Sequence, residues 1–287
     1  MRFQPIISSH HNEWFKSAMR LHQVSERRDR CQFLIEGTHL VEEAIATGWP
    51  LESICFEEAW AEQHKLLLDR LIADPNRTKV LLQPTTTDIL RRLSTTSSRS
   101  PVVGVAFHRT HDQSDFTPVT LALAIESLQD PGNLGSMIRI AAAAGVSQVY
   151  LSRDSVSPTN PKVLRSTAGQ WFRSPPIVTD LPSFLKRQSA SSVQILAACA
   201  DGKSFWETDL THPTIFLLGN EGSGLSSEML TFATGKISIP MAADIESLNV
   251  SIAAALLVYE AQRQRKALDC IPTITNSEFA REKLLNR

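Results

Sequence analysis

Cysteine is scarce and scattered in this chain: four among 287 residues, at Cys31, Cys55, Cys199 and Cys270. No two stand at metal-ligand spacing, and nothing resembles the framework of a small secreted domain. The pattern excludes a disulfide scaffold and a zinc module, and predicts reduced thiols with no bound metal. Long hydrophobic runs are missing too. No stretch approaches the roughly 18 apolar residues that cross a bilayer, and the opening MRFQPIISSHHNEWFK lacks the apolar core of a secretory leader. The expectation is a cytoplasmic protein without a membrane partner. Charge of one sign is also absent, since 29 Lys and Arg stand against 30 Asp and Glu, for a net charge of -1. Nucleic-acid-binding domains usually carry a basic excess, so any such contact must come from a local cluster. There is no G-x-x-x-x-G-K-[ST], which rules out a P-loop, and no internal repeat.

What is present is ordinary globular material. A hydrophobic content of 42% can fill a sizeable core, and the length suggests two domains. The first part, residues 1–107, reads as mixed α/β. An amphipathic stretch from Glu13 to His22 leads to the apolar run Phe33–Ile35. The helical THLVEEAIATG follows, closing at Gly48 as a C-terminal cap. Strands are predicted at 51–56, 79–82 and 102–107, with TTTDILRRLS as a helix between the last two. The polar segment 108–117 reads as a linker. From 118 to 287 apolar strands alternate with helices, which indicates a parallel sheet covered on both faces. The polar tail begins at Asp269.

Three constellations carry the chemistry of this second part. The first is Gln129-Asp130-Pro131-Gly132-Asn133-Leu134-Gly135 with Arg139 beyond it, where a strand gives way to a helix expected to start near Gly135. That places Asn133 at the carboxyl edge of the sheet, where open α/β sheets bind ligands; a tight turn with a solvated arginine is the plain alternative. The second is Gly219-Asn220-Glu221-Gly222-Ser223-Gly224 after the strand TIFLL. Its glycines allow close backbone approach, but their order, G-x-x-G-x-G, is the reverse of the dinucleotide fingerprint. The third is Ile239-Pro240-Met241 followed by Ser247-Leu248-Asn249-Val250-Ser251, expected to open the last helix near Ser247. Simple capping would explain Ser247 and Asn249. It would not explain IAAALLVYEAQ, which is apolar nearly all round and asks for burial on two sides, most simply by the sheet and by a second copy of the chain.

Taken in this order, the three blocks resemble the motifs of the SpoU (TrmH-like) RNA 2′-O-ribose methyltransferases, a branch of the SPOUT superfamily: N-x-G-x-x-x-R, then G-x-E-G-x-G, then I-P-M with S-L-N-V-S. The block Asn160 to Gly169 is similar as well. CQFLIEGTHLVEEA and SPVVGVAF look like the family's small substrate-binding domain. The sequence departs from the pattern at Cys31, where relatives commonly carry glycine, and at Ile140 and Ala143.

The resemblance implies a parallel-sheet α/β domain with a deep trefoil knot, preceded by a small α/β RNA-binding domain. It also implies a homodimer with the active site at the subunit interface, and S-adenosylmethionine as methyl donor. The cofactor is expected at Leu218, Gly219, Asn220, Gly222, Ile239, Met241 and Leu248. Catalytic work is expected from Asn133, Arg139, Glu221, Ser247 and Asn249, with Glu221 either accepting a proton or ordering the glycine loop. For RNA, Lys162 and Arg165 share a helical face beside the site; Arg27, Arg28, Arg30, Arg91, Arg92 and Arg173 are further candidates. Ribosomal RNA is expected ahead of transfer RNA. Two rival readings stand beside this one: a catalytically silent RNA-binding protein on the same fold, and an α/β enzyme using the glycine loop for phosphates.

Overall fold

A computed structural model describes residues 4–75, 79–95, 100–109 and 119–269. Most of the expected linker and the polar tail lie outside these residues. The first part contains α1 (Glu13–Arg20), α2 (Val24–Asp29), β1 (Gln32–Glu36), α3 (Thr38–Ala46), β2 (Leu51–Phe56), α4 (Glu58–Gln63), α5 (Lys65–Ala73), β3 (Leu81–Pro84), α6 (Thr87–Leu93) and β4 (Val102–Phe107). Its four strands form one sheet in the order β1-β4-β2-β3, with β4 antiparallel to both neighbours and β2 parallel to β3. The α3 helix closes as expected, with Gly48 at φ +69° just beyond its last turn. The strand expected at 79–82 lies two residues later, because its register pairs Leu81 with Ser53 and ends with Pro84 opposite Phe56. Helix α2 was not expected, and its one buried residue is an arginine, Arg27, so no apolar periodicity announces it. Helices α4 and α5 were also not expected: the chain breaks at His64, and each piece is too short for a clear period.

The second part comprises β5 (Leu121–Ile125), α7 (Pro131–Ala144), β6 (Gln148–Ser152), α8 (Pro161–Ser166), a 3-10 turn (Gln170–Phe172), β7 (Ile177–Thr179), α9 (Leu181–Ser189), β8 (Gln194–Ser204), β9 (Thr214–Leu218), α10 (Ser227–Leu230), β10 (Gly235–Ser238) and α11 (Val250–Asp269). The strands form a six-stranded, all-parallel sheet in the order β10-β8-β9-β5-β6-β7. Every residue of β5 and β9 is buried, as continuous apolar strands covered on both faces require.

Two expected helix starts move. α7 begins at Pro131, not near Gly135. Asp130 caps it by accepting from the Asn133 N–H, and proline at the first position suits a helix that needs no donor there. Asn133 therefore sits in the first turn and Arg139 more than two turns in. α11 begins at Val250 rather than Ser247, because the Asn249 side chain accepts from the Ser251 N–H and takes the capping role.

The two sheets meet through aromatic rings. Trp171 packs against Phe33 and Trp49, each with centroids 5.0 Å apart, and Phe172 lies 5.5 Å from Trp49. Both are buried and belong to the core. Polar straps flank this seam. Arg165 reaches Glu36 at 3.4 Å and the Thr95 hydroxyl at 2.7 Å, Arg173 donates to Glu43 at 2.9 Å, and a His39 ring nitrogen meets the Ala168 carbonyl at 3.0 Å.

Candidate active site

The three constellations converge on one cleft of about 1090 Å³ at the carboxyl ends of β8, β9 and β5. The parallel sheet explains why. Each loop leaves a strand at the same edge, so segments more than a hundred residues apart in sequence become neighbours.

Hydrogen bonds join the loops in a row. The Glu221 carboxylate accepts from the backbone N–H groups of Gln129 (3.3 Å) and Asp130 (3.1 Å) and from Asn133 Nδ2 (3.1 Å). Asn133 Oδ1 in turn accepts from Asn249 Nδ2 at 2.9 Å. Asn249 Oδ1 then takes the Ser251 N–H at 2.9 Å and the Ser251 hydroxyl at 2.7 Å. Burial alone would raise the Glu221 carboxyl, but the Asn133 amide and the backbone donors outweigh it and hold it below the usual range. A carboxylate with those donors is a poor proton acceptor. These bonds tie the glycine loop to the head of α7.

Asn220 shapes the glycine loop from within. Its Oδ1 accepts from the Gly222 and Ser223 N–H groups at 2.8 and 3.1 Å, and its Nδ2 donates to the Ser127 carbonyl at 2.8 Å. Two glycines of the loop differ in what they require. A Cβ on Gly219 would stand 2.2 Å from the Gly224 backbone, so the chain itself demands glycine there. A Cβ on Gly222 would meet nothing closer than Asn220 Oδ1 at 3.5 Å, so the chain leaves space at that point of the cleft.

Leu218, Gly219, Asn220, Gly222, Ile239, Met241 and Leu248 all line the cleft, with Asn133, Glu221, Ser247 and Asn249. Sequence reasoning missed its far wall, Ala198, Cys199 and Ala200 from the end of β8, and also Glu246 and Leu257. The small residues directly after the apolar core of β8 were the available signal. The charges are one-sided: Asp130, Glu221 and Glu246 line the cleft, while no lysine or arginine does. A phosphate-bearing ligand would find three repelling carboxylates and no counter-ion, which counts against the phosphate reading of the glycine loop. A cationic, largely apolar ligand would fit. Leu218, Ile237, Ile239 and Leu248 offer an apolar wall, and Gly222 leaves room beside it.

Three expected site residues are placed differently. Arg139 is exposed, has no hydrogen bond or ion pair among the described residues, and does not line its own chain's cleft. Arg165, expected to grip RNA, is engaged with Glu36 and Thr95 in the seam between the sheets, because its partner carboxylate is almost wholly buried there. Arg173 is likewise held by Glu43, whereas Lys162 beside them is exposed.

Comparison with known proteins shows the family. The family model described as "SpoU rRNA Methylase family" matches residues 120–259, and "MRM3-like substrate binding domain" matches residues 12–104. A protein of Synechocystis sp. named as an uncharacterized tRNA/rRNA methyltransferase is 38% identical over 91% of this chain and 94% of its own length. The chain belongs to the SpoU rRNA methylase family. The 23S rRNA (guanosine(2553)-2'-O)-methyltransferase RlmP of Bacillus subtilis is 31% identical over 88% of this SpoU chain and 97% of its own. A solved AdoMet-bound rRNA methyltransferase from Sinorhizobium meliloti superposes with a TM-score of 0.81 at 27% identity, covering 92% of this chain and 98% of that one. Cys31 adopts φ +50°, a left-handed turn that its side chain disfavours.

Proposed function

We propose that this chain transfers a methyl group from S-adenosylmethionine to a ribose 2′-hydroxyl of RNA, with ribosomal RNA preferred to transfer RNA. The observation that carries the reading is the cation-free, carboxylate-lined cleft joined by the Glu221–Asn133–Asn249 row. The rRNA preference is supported by RlmP, matched over nearly its whole length and named for 23S rRNA.

When bound, S-adenosylmethionine supplies a methyl group already activated on a positively charged sulfonium. Leu218, Gly219, Asn220, Gly222, Ile239, Met241 and Leu248 hold it, and the carboxylates favour its charge. Glu221 fixes the glycine loop to the head of α7, while Asn133 and Asn249 orient the reacting hydroxyl and Ser247 faces it across the cleft. Proximity and alignment then do most of the work, since the leaving group is present from the start. Arg139 grips the phosphate beside the target ribose and stabilises the developing alkoxide; a guanidinium stays protonated and is no general base. Because Arg139 does not line its own cleft, it serves the cleft of a second copy in a homodimer. The exposed apolar face of α11, Ile252, Leu256 and Tyr259, supports that assembly.

Residues 1–107 form the RNA-recognising unit and 118–287 the catalytic unit, joined by 108–117. The implied knot is supported by the path of α11, which returns to pack on α7 and β9 after the chain has crossed to the sheet edge at β10. The test is to map ribose methylation in RNA from a strain lacking the protein, and to restore it with purified protein and S-adenosylmethionine. One ribosomal ribose should lose and regain its methyl group. An unchanged map together with no S-adenosylmethionine binding in calorimetry would overturn the reading.

A further inference from the structure

A second cavity, of about 890 Å³, lies in the seam between the two sheets, and the proposed reaction does not use it. Arg27, Arg28 and Arg109 line it from one side, and Arg153, Arg187 and Trp171 from the other. Five arginines and one carboxylate, Asp180, line it; Asp180 caps α9 through the Ser183 N–H, and Arg28 also lies 3.6 Å from Asp29 outside the lining. In a chain of net charge -1 this is a concentrated positive field.

The donors are also incompletely used. Arg27 is only 4% exposed, has no ion pair among the described residues, and gives its Nη1 to the carbonyls of Leu21 and His22. Its Nε, and Nε1 of the buried Trp171, have no acceptor among the described residues. Both atoms are shielded from solvent, so the Arg27 guanidinium adds uncompensated positive charge behind the cavity wall. Flat apolar surface lies beside the charges. Val24 and Val178 are 61% and 47% exposed, and Arg109 stacks on the Trp49 ring at 4.3 Å. Cations next to apolar faces match a nucleotide, whose phosphate and base need one of each.

We propose that this interdomain cavity is a second RNA-binding site, taking a phosphodiester and its neighbouring base at a point of the substrate away from the methylated ribose. The proposal rests on the reading of the protein as an RNA methyltransferase. The geometry also says which part of the RNA is meant. A smaller cleft shares Arg153, Thr179 and Asp180 with this cavity, is further lined by Glu126, Asp154 and Glu228, and is tied to the glycine loop through Asn220 and Ser226. Those carboxylates repel a phosphate backbone, so the strand that enters the active site does not continue along the sheet edge. The cavity receives a separate segment of the folded RNA.

The experiment compares full-length wild type with Arg28→Glu/Arg153→Glu; both side chains are exposed and neither lines the cofactor cleft. RNA affinity is measured across a salt series, S-adenosylmethionine affinity by calorimetry, and single-turnover methylation at saturating RNA. We expect RNA affinity to fall by about 10–100-fold at physiological salt, and the slope against log salt to shrink by about one for each phosphate the variant no longer holds. S-adenosylmethionine affinity and the saturated rate should stay within a few-fold of wild type. If the double reversal fails to fold, Arg109→Ala gives the same comparison. Unchanged RNA affinity and slope in the folded variants overturn the proposal, even if inorganic phosphate or an acidic peptide then proves to bind the cavity. Absence of RNA binding in the wild type would remove the proposed function as well, so the two failures are distinguishable.

Discussion

Glu221, Asn133 and Asn249 are held by one another before any ligand arrives, and this sets what each can do. The Glu221 carboxyl is depressed in the folded protein, so the order it brings is fully present above the unfolded value near about 4.3 and is lost as pH falls through the lower folded value. Affinity for S-adenosylmethionine should therefore stay level from pH 9 to about 5 and drop only in stronger acid. A midpoint near neutrality in calorimetry would instead mark Glu221 as a proton acceptor. Arg139 stands apart from this row. Arg139→Ala should lower single-turnover methylation by about 10²–10³ while leaving S-adenosylmethionine affinity nearly unchanged. Arg139→Lys should recover little, since a point charge lacks the two-pronged grip; wild-type turnover in the alanine variant would exclude Arg139 from the reaction. At Cys31, whose left-handed backbone favours glycine and whose side chain is exposed, Cys31→Gly should raise stability by about 0.5–1 kcal/mol in thermal unfolding.

Helix α11 is the element whose two faces separate folding from assembly. Ala254, Leu257, Val258 and Ala261 are wholly buried, and the helix packs on α7 and β9, so Leu257 belongs to the chain's own core. Leu256 is 39% exposed and lies with Ile252 and Tyr259 on the other face. Sequence alone made Leu256 and Leu257 equivalent; the structure leaves Leu256 as the one that reports on assembly. Leu256→Glu should fold normally yet sediment as a monomer at concentrations where wild type is a dimer, and lose methylation if Arg139 is supplied by the partner. Leu257→Glu, which buries a charge, should not fold. A dimeric Leu256→Glu protein with full activity would refute the interface.

For the whole molecule, the seam between the sheets fixes how the first part faces the cleft. Arg173 and Glu43 form a strap across it, both donor nitrogens meeting one carboxylate oxygen. Partly exposed pairs contribute on the order of 1 kcal/mol or less, so the aromatic cluster keeps the parts together when the strap is reversed. Glu43→Arg should leave S-adenosylmethionine binding intact and reduce RNA methylation several-fold, and adding Arg173→Glu should restore most of it. Equal activity in all three proteins would show that the strap has no part in presenting RNA.

The sequence determined the elements with strong periods and the segments that meet at one cleft. Apolar strands such as Leu121–Ile125 and Thr214–Leu218 announce themselves by composition, and the three motif blocks are local enough to be read in a line. Short helices with few buried positions, α2, α4 and α5, stayed hidden because burial, not periodicity, selects them. The tertiary structure alone decided which side chains meet. It joined Arg165 and Arg173 to carboxylates across the seam between the sheets, placed Arg139 outside its own cleft, and tied Glu221 to the head of α7. Those outcomes depend on partners more than seventy residues away in the chain, and a pattern read along the sequence does not contain the distance across the fold.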